Sequence, residues 1–133
     1  MKVADLMRTD MTTISPEATL GDVVVALADA HVSALPVVDN RRKILGVLST
    51  TDVLQAEAAC GSAEERERLF ENTTVRELMT PRPSVIAPDA DIREAAQQML
   101  YLEVHRLFVE EEGKLAGVIS QSDLVRVVAT AAT

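Results

Sequence analysis

Aromatic side chains are nearly missing from this chain: Tyr101, Phe70 and Phe108 are the only three in 133 residues, and there is no tryptophan. Three scattered rings cannot form the stacking platform on which single-stranded nucleic acids lie. Basic charge is also short, with 13 Lys plus Arg against 21 Asp plus Glu and a net charge of −8. Such a chain does not draw a polyphosphate backbone at long range, so polymeric nucleic acid is not an expected partner. Cys60 is the single cysteine, which rules out an intrachain disulfide and gives no sign of an oxidising compartment. No apolar run approaches the roughly 20 residues of a membrane span. Asp5 interrupts the start, Met1-Lys2-Val3-Ala4-Asp5, where a signal peptide needs an apolar core. A cytoplasmic protein with no membrane partner is the expectation.

Catalytic vocabulary is just as thin. His31 and His105 are the two histidines, and neither they nor Cys60 stand in a metal-ligand spacing. No phosphate-binding loop, dinucleotide turn or nucleophile elbow is present. The chain is therefore expected not to be an enzyme, with no catalytic residue, metal or required cofactor. His31 falls on the last turn of an Ala-rich helix, where an imidazole can serve the helix carbonyls. Cys60, just before Gly61, reads as a small packed residue.

What the chain does have is itself, twice. Val3-Ala4-Asp5-Leu6-Met7 recurs as Val75-Arg76-Glu77-Leu78-Met79, a shift of 72. At the same shift Ile14, Pro16, Ala18, Leu35 and Val37 meet Ile86, Pro88, Ala90, Leu107 and Val109. After a one-residue deletion in a predicted hairpin turn the shift is 71, and Gly46, Val47, Ser49 and Asp52 meet Gly117, Val118, Ser120 and Asp123. Ordered Pro, Gly, Ser and Asp identities mark a duplication.

Each copy predicts a short lead-in strand, a helix, a hairpin and a second helix. Thr19-x-x-Asp22 and Asp91-x-x-Glu94 have the form of capping boxes. Behind them Leu20, Val23, Val24, Leu27 and Ala28, and then Ile92, Ala95, Ala96, Met99 and Leu100, keep the i, i+3, i+4, i+7, i+8 spacing of an amphipathic helix. Short β-rich runs flank Asp39-Asn40 and Glu112-Gly113, as in hairpins. Second helices are predicted from about Thr50 to Ala59 and from about Gln121 to Ala131. The expected organisation is a first unit at 1–60, a linker at 61–73 that is a short charged helix or a solvated loop, and a second unit at 74–133. One such unit buries little core alone, so the two are expected to pack through their sheets, giving an α/β (α+β) fold.

One motif points to chemistry. Gly46-Val47-Leu48-Ser49-Thr50-Thr51-Asp52 and Gly117-Val118-Ile119-Ser120-Gln121-Ser122-Asp123 run from strand into helix. Ser-x-x-Asp there is an acceptable capping box and nothing more. The same geometry also suits a ribonucleotide. A helix start offers N–H groups and partial positive charge to phosphate, and a first-turn carboxylate can accept both hydroxyls of a ribose diol.

The chain resembles a tandem pair of cystathionine-β-synthase-type (CBS) domains, a Bateman module. The resemblance runs through the Val-x-(Asp/Glu)-Leu-Met lead-ins, Thr12-Thr13-Ile14-Ser15-Pro16, Ser84-Val85-Ile86-Ala87-Pro88, Leu35-Pro36-Val37-Val38-Asp39 and both Gly-x-x-Ser-x-x-Asp segments. It implies two β-α-β-β-α units related by a pseudo-twofold, ligand clefts between them, and a homodimer. The implied ligand is an adenosine derivative: AMP, ADP, ATP or S-adenosylmethionine. Asp52 and Asp123 would hold ribose, with Ser49, Thr50, Ser120 and Gln121 near ribose or phosphate. Thr13 and Ile14 with Pro36 and Val37, and Val85 and Ile86 with Phe108 and Val109, would line base pockets. His105-Arg106 matches the family's basic pair, making Arg106 the phosphate cation. Ser33-Ala34 replaces that pair in the first copy, and Phe108 replaces the usual Pro. The two clefts are then unequal, with one strong site expected where Arg106 faces; the alternative role for Arg106 is a surface ion pair with Glu103 or Glu110. Two functions stay open: a regulatory module that binds an adenosyl ligand and acts on another protein, and a scaffold that has lost its ligand. A small nucleotide hydrolase or transferase rests only on a cleft and His105.

Overall fold

The computed structural model describes residues 1–131, the side chains of 129–131 excepted. The chain divides into two compact units, and they are not cut where the repeats are. One unit joins residues 1–11 to 84–133, and the other is 12–83. Each copy's lead-in has gone to the other copy's body.

In the 12–83 unit, Thr19 caps helix α2 (Leu20–Ala30) in a closed capping box with Asp22. Leu20, Val23 and Leu27 form its buried stripe. The stripe is narrower than the sequence spacing predicts, since Val24 is exposed. The helix ends on His31 in the left-handed region, whose backbone N–H, not its imidazole, reaches Ala28 O. Strands β1 (Ala34–Val38) and β2 (Ile44–Ser49) form an antiparallel hairpin with Leu35 opposite Leu48 and Pro36 opposite Val47. On β2, Ile44, Gly46 and Leu48 point inward by the period-2 rule. Helix α3 (Thr50–Ala58) follows directly.

The linker is a helix, α4 (Ala63–Asn72), started by Ser62, whose side chain accepts the Glu65 N–H. Its Leu69 and Phe70 pack on the core of Leu20, Val23, Leu35, Leu48 and Val75. The lead-in that completes this unit is helical as well: α5 spans Val75–Leu78. Val75 N–H donates to Ala18 O at 2.9 Å, and Arg76 N–H to Pro16 O at 3.0 Å. Strand β3 (Thr80–Pro81) then pairs with β2 at Val47 and Gly46.

The 1–11 and 84–131 segments repeat the plan. Helix α1 (Val3–Leu6) holds the Val-x-Asp-Leu-Met segment, with Val3 N–H on Ala90 O at 2.8 Å. Strand β4 (Val85–Ile86) runs parallel to β5 (Arg106–Glu111), which pairs antiparallel with β6 (Lys114–Ser120). Helix α6 (Ile92–Leu102) lies between β4 and β5 in sequence and buries Ala95 and Met99, while Leu100 is exposed. Asp91 caps α6 through the Arg93 N–H, and no bond returns from Glu94, so the predicted box stays open. Helix α7 (Gln121–Ala131) closes the unit. Val3, Ile86, Met99, Leu107, Val109 and Ile119 form its core.

Gly46 and Gly117 explain how the lead-ins fit. A Cβ on Gly46 would lie 2.7 Å from Thr80 O, and one on Gly117 would lie 2.8 Å from Arg8 O. The motif's glycine admits the lead-in backbone onto the β2 or β6 edge.

Candidate functional site

The two Ser-x-x-Asp segments build the same corner. Ser49 Oγ accepts the Asp52 N–H at 3.2 Å, while Asp52 Oδ2 accepts the Ser49 N–H at 2.9 Å and its hydroxyl at 3.0 Å. Ser120 and Asp123 repeat these bonds at 2.9, 3.0 and 3.2 Å. The capping role is real, worth about 1 kcal/mol for such a residue. It also spends much of the helix start. Thr50 N–H donates to Ser33 O, and Gln121 N–H to His105 O, each at 2.9 Å. Two of the first three N–H groups of each helix are therefore committed. An anion at either corner would rely on side chains more than the sequence reading expects.

Only one carboxylate oxygen per corner is used by the cap, and here the copies part. Asp123 Oδ1 pairs with Arg8 Nε at 3.4 Å and with Arg126 Nη1 at 3.7 Å. Asp123 is buried, at 5% exposure. Asp52 is half-buried and has no basic partner among the described residues. Repeat alignment puts Thr80 and Gln55 where the second copy has Arg8 and Arg126. Sequence reasoning passed over both arginines; the unmatched positions 8 and 80 were the available signal.

Beside the second corner, Arg106 opens β5 directly opposite Ser120 and is half-buried. His105 Nδ1 lies 3.2 Å from Gln121 Oε1, so the imidazole is tied to the α7 start. In the first copy Ala34 faces Ser49 and supplies no charge. Phe108 is a buried ladder residue opposite Val118, and its N–H donates to Ser84 O at 3.1 Å. Pro36, at the equivalent place, has no N–H to give.

Val85 and Ile86 pair with Phe108 and Val109. Ile14 N–H donates to Pro36 O, and Ile14 O accepts from Val38 N–H, each at 3.1 Å, which sets Thr13 and Ile14 beside Pro36 and Val37. A cavity of about 540 Å³ opens there, lined by Thr13 to Glu17, Val38 to Asn40 and Arg76. Ser49, Thr50 and Asp52 lie outside its lining, toward the Ala34 end of β1, about 13 Å away along the strand. The cavity wall is charged. Glu17 Oε2 accepts the Ser15 hydroxyl at 3.0 Å and Oε1 meets Arg76 Nη2 at 3.3 Å, which together hold the Glu17 carboxyl below its ordinary value. No group of three or more His, Cys, Asp or Glu able to hold a metal occurs among the described residues. Cys60 is half-buried, its thiol directed at Ala56 O. No described helix is long and apolar enough to cross a membrane.

Known proteins share this arrangement. CBSX2, a chloroplastic CBS domain-containing protein of Arabidopsis thaliana, is 26% identical over 147 residues, covering 93% of this chain and 62% of CBSX2. The chain thus spans a little under two thirds of that relative's length. The crystal structure of CBSX2 in complex with AMP matches with a TM-score of 0.82 and 26% identity, covering 99% of this chain and 98% of that one. A Vibrio cholerae protein assigned as AcuB matches with a TM-score of 0.83 and 29% identity over 99% and 93% of the two chains. Inosine-5'-monophosphate dehydrogenase of Bifidobacterium longum is 31% identical over 122 residues, which is 90% of this chain and 21% of that enzyme. The family model for the CBS domain matches residues 3–59 and again 75–130. The two sheets, the doubled helix-start corners and these matches agree: the chain belongs to the CBS domain family and is a tandem CBS pair.

Proposed function

We propose that this CBS pair is a non-catalytic regulatory module that binds an adenosine-containing ligand and passes its presence to a partner protein. Asp52 carries the reading. Its Oδ2 is fixed by Ser49 while Oδ1 has no basic partner among the described residues, a fixed carboxylate suited to a ribose hydroxyl. Thr50 and Thr51 add hydroxyl donors on the same turn. AMP in CBSX2 supplies the ligand class, and Ile14 beside Pro36 needs no aromatic partner to flank a purine, while Val37, fully buried in the core, does not reach that pocket. The dehydrogenase match supports a non-catalytic role, because the shared part is only 21% of that enzyme.

Titration calorimetry with AMP, ADP, ATP and S-adenosylmethionine tests this. At least one is expected to bind, and Asp52→Asn is expected to weaken it tenfold or more, about 1.4 kcal/mol. Absence of binding by all four would overturn the proposal. It would leave a second reading, a homodimeric scaffold, which one observation favours. Leu100 and Tyr101 on α6 are 74% and 87% exposed, and Val125 on α7 is 63% exposed, beside an apolar groove that includes Ala96 and Leu124. Such a scaffold would scatter light as a dimer whether or not nucleotide is present.

A further inference from the structure

The two helix-start corners are copies, yet only one leaves its carboxylate open. In the 12–83 unit, Asp52 stands half-buried with Thr80 and Gln55 at the neighbouring repeat positions. In the other unit, Arg8 and Arg126 converge on Asp123 Oδ1 at 3.4 and 3.7 Å, while Ser120 holds Oδ2. Asp123 is left 5% exposed. Arg8 is placed for this by its backbone. It exchanges N–H···O bonds with Val118, 2.9 Å each way, at the register where Thr80 faces Val47 in the first copy. A diol oxygen at Asp123 would have to displace a charge-assisted contact with two guanidinium groups, which a neutral hydroxyl does not match.

We propose that Arg8 is a latch: by holding Asp123 it closes the second corner to ribose, so that the pair takes one adenosyl ligand per chain, at Asp52. This rests on the nucleotide-binding reading above and adds which copy does the binding. It also runs against the sequence expectation that the stronger site lies where Arg106 faces. Arg106 then stands at a corner whose ribose-binding carboxylate is already occupied from within.

The test copies the first corner onto the second. Arg8→Thr with Arg126→Gln installs the residues found at positions 80 and 55. Arg8 is 54% exposed, so folding is expected to survive, and thermal melts of each variant check it. Calorimetric titration uses AMP, ADP, ATP and S-adenosylmethionine in turn. A compound that binds is expected to give one site per wild-type chain, weakened tenfold or more in Asp52→Asn, and two sites in the Arg8→Thr/Arg126→Gln chain. Adding Asp52→Asn to that double variant is expected to leave one, and Arg8→Lys, which keeps the charge, is expected to stay at one. Two sites in the wild type, or one site in the double variant, would overturn the latch while leaving nucleotide binding intact. No binding of AMP, ADP, ATP or S-adenosylmethionine by any of these chains would instead overturn the nucleotide reading, and the latch with it.

Discussion

Asp39 closes the first hairpin with one oxygen. Its Oδ1 accepts the backbone N–H groups of Arg41 and Lys43, each at 2.9 Å. These bonds, Lys43's first, hold its carboxyl below the ordinary aspartate value of 3.8. A carboxylate depressed in the folded state adds stability that is full above the unfolded value and fades as pH falls through the folded one. Asp39 is only partly buried, so solvent screens much of the effect. Thermal melts from pH 7 down to pH 3 are expected to show a shallower acid loss for Asp39→Asn than for wild type below about pH 4. An equal slope in the two proteins would remove Asp39 from the account of acid sensitivity. The turn at Asp39 was legible in the sequence but not its two bonds, whereas the Ser49–Asp52 and Ser120–Asp123 boxes were, because both partners lie within one turn. The Arg8–Asp123 pair was not, since its partners are joined only by the way the lead-in folds back.

Among the elements, helices α2, α3, α6 and α7 and both hairpins followed from periodicity and turn chemistry. Periodicity misses the segments whose surroundings come from elsewhere. Val3–Leu6 and Val75–Leu78 are single helical turns, too short to show a period. In sequence the charged linker stays open between a short helix and a loop; the structure gives the helix, α4, whose Leu69 and Phe70 pack on the core. Gly46 illustrates the same limit, for its role belongs to the strand that arrives beside it. Gly46→Ala would put a methyl against Thr80 O and Met79 Sδ, at 2.7 and 2.8 Å. The variant is expected to lose about 1–3 kcal/mol in urea unfolding, as overpacked sites do. An unchanged midpoint would mean that β3 gives way freely.

For the whole molecule, the repeat states the parts and the exchanged lead-ins state how they combine. Residues 12–83 contain every segment of their unit. Residues 1–60 carry one complete sequence copy but lack α4, α5 and β3, and with them Val75, Leu69 and Phe70 of the core. Fragment 12–83 is therefore expected to be helical by circular dichroism and to unfold cooperatively in urea, and fragment 1–60 to do neither. Cooperative unfolding of 1–60 would show the borrowed lead-in to be dispensable. Two sequence copies make two units here only by exchange.

That exchange also sets an order of events. The 12–83 unit is an insertion within the other, so it can finish once residue 83 has been made, while Arg8 must wait for Val118. Closing a flexible loop of that length costs on the order of 4 kcal/mol in chain entropy. The inserted unit shortens the loop by folding. Its Ile14 bridge, β1, β2 and β3 are successive neighbours, which fixes its two ends about 14 Å apart at strand spacing. A chain of that length left unfolded would have a radius of gyration near 26 Å. Residues 1–11 are thus held ready for the segment after residue 83 by a unit to which neither belongs, and damage to that unit is expected to loosen the Arg8–Asp123 pair without touching either residue.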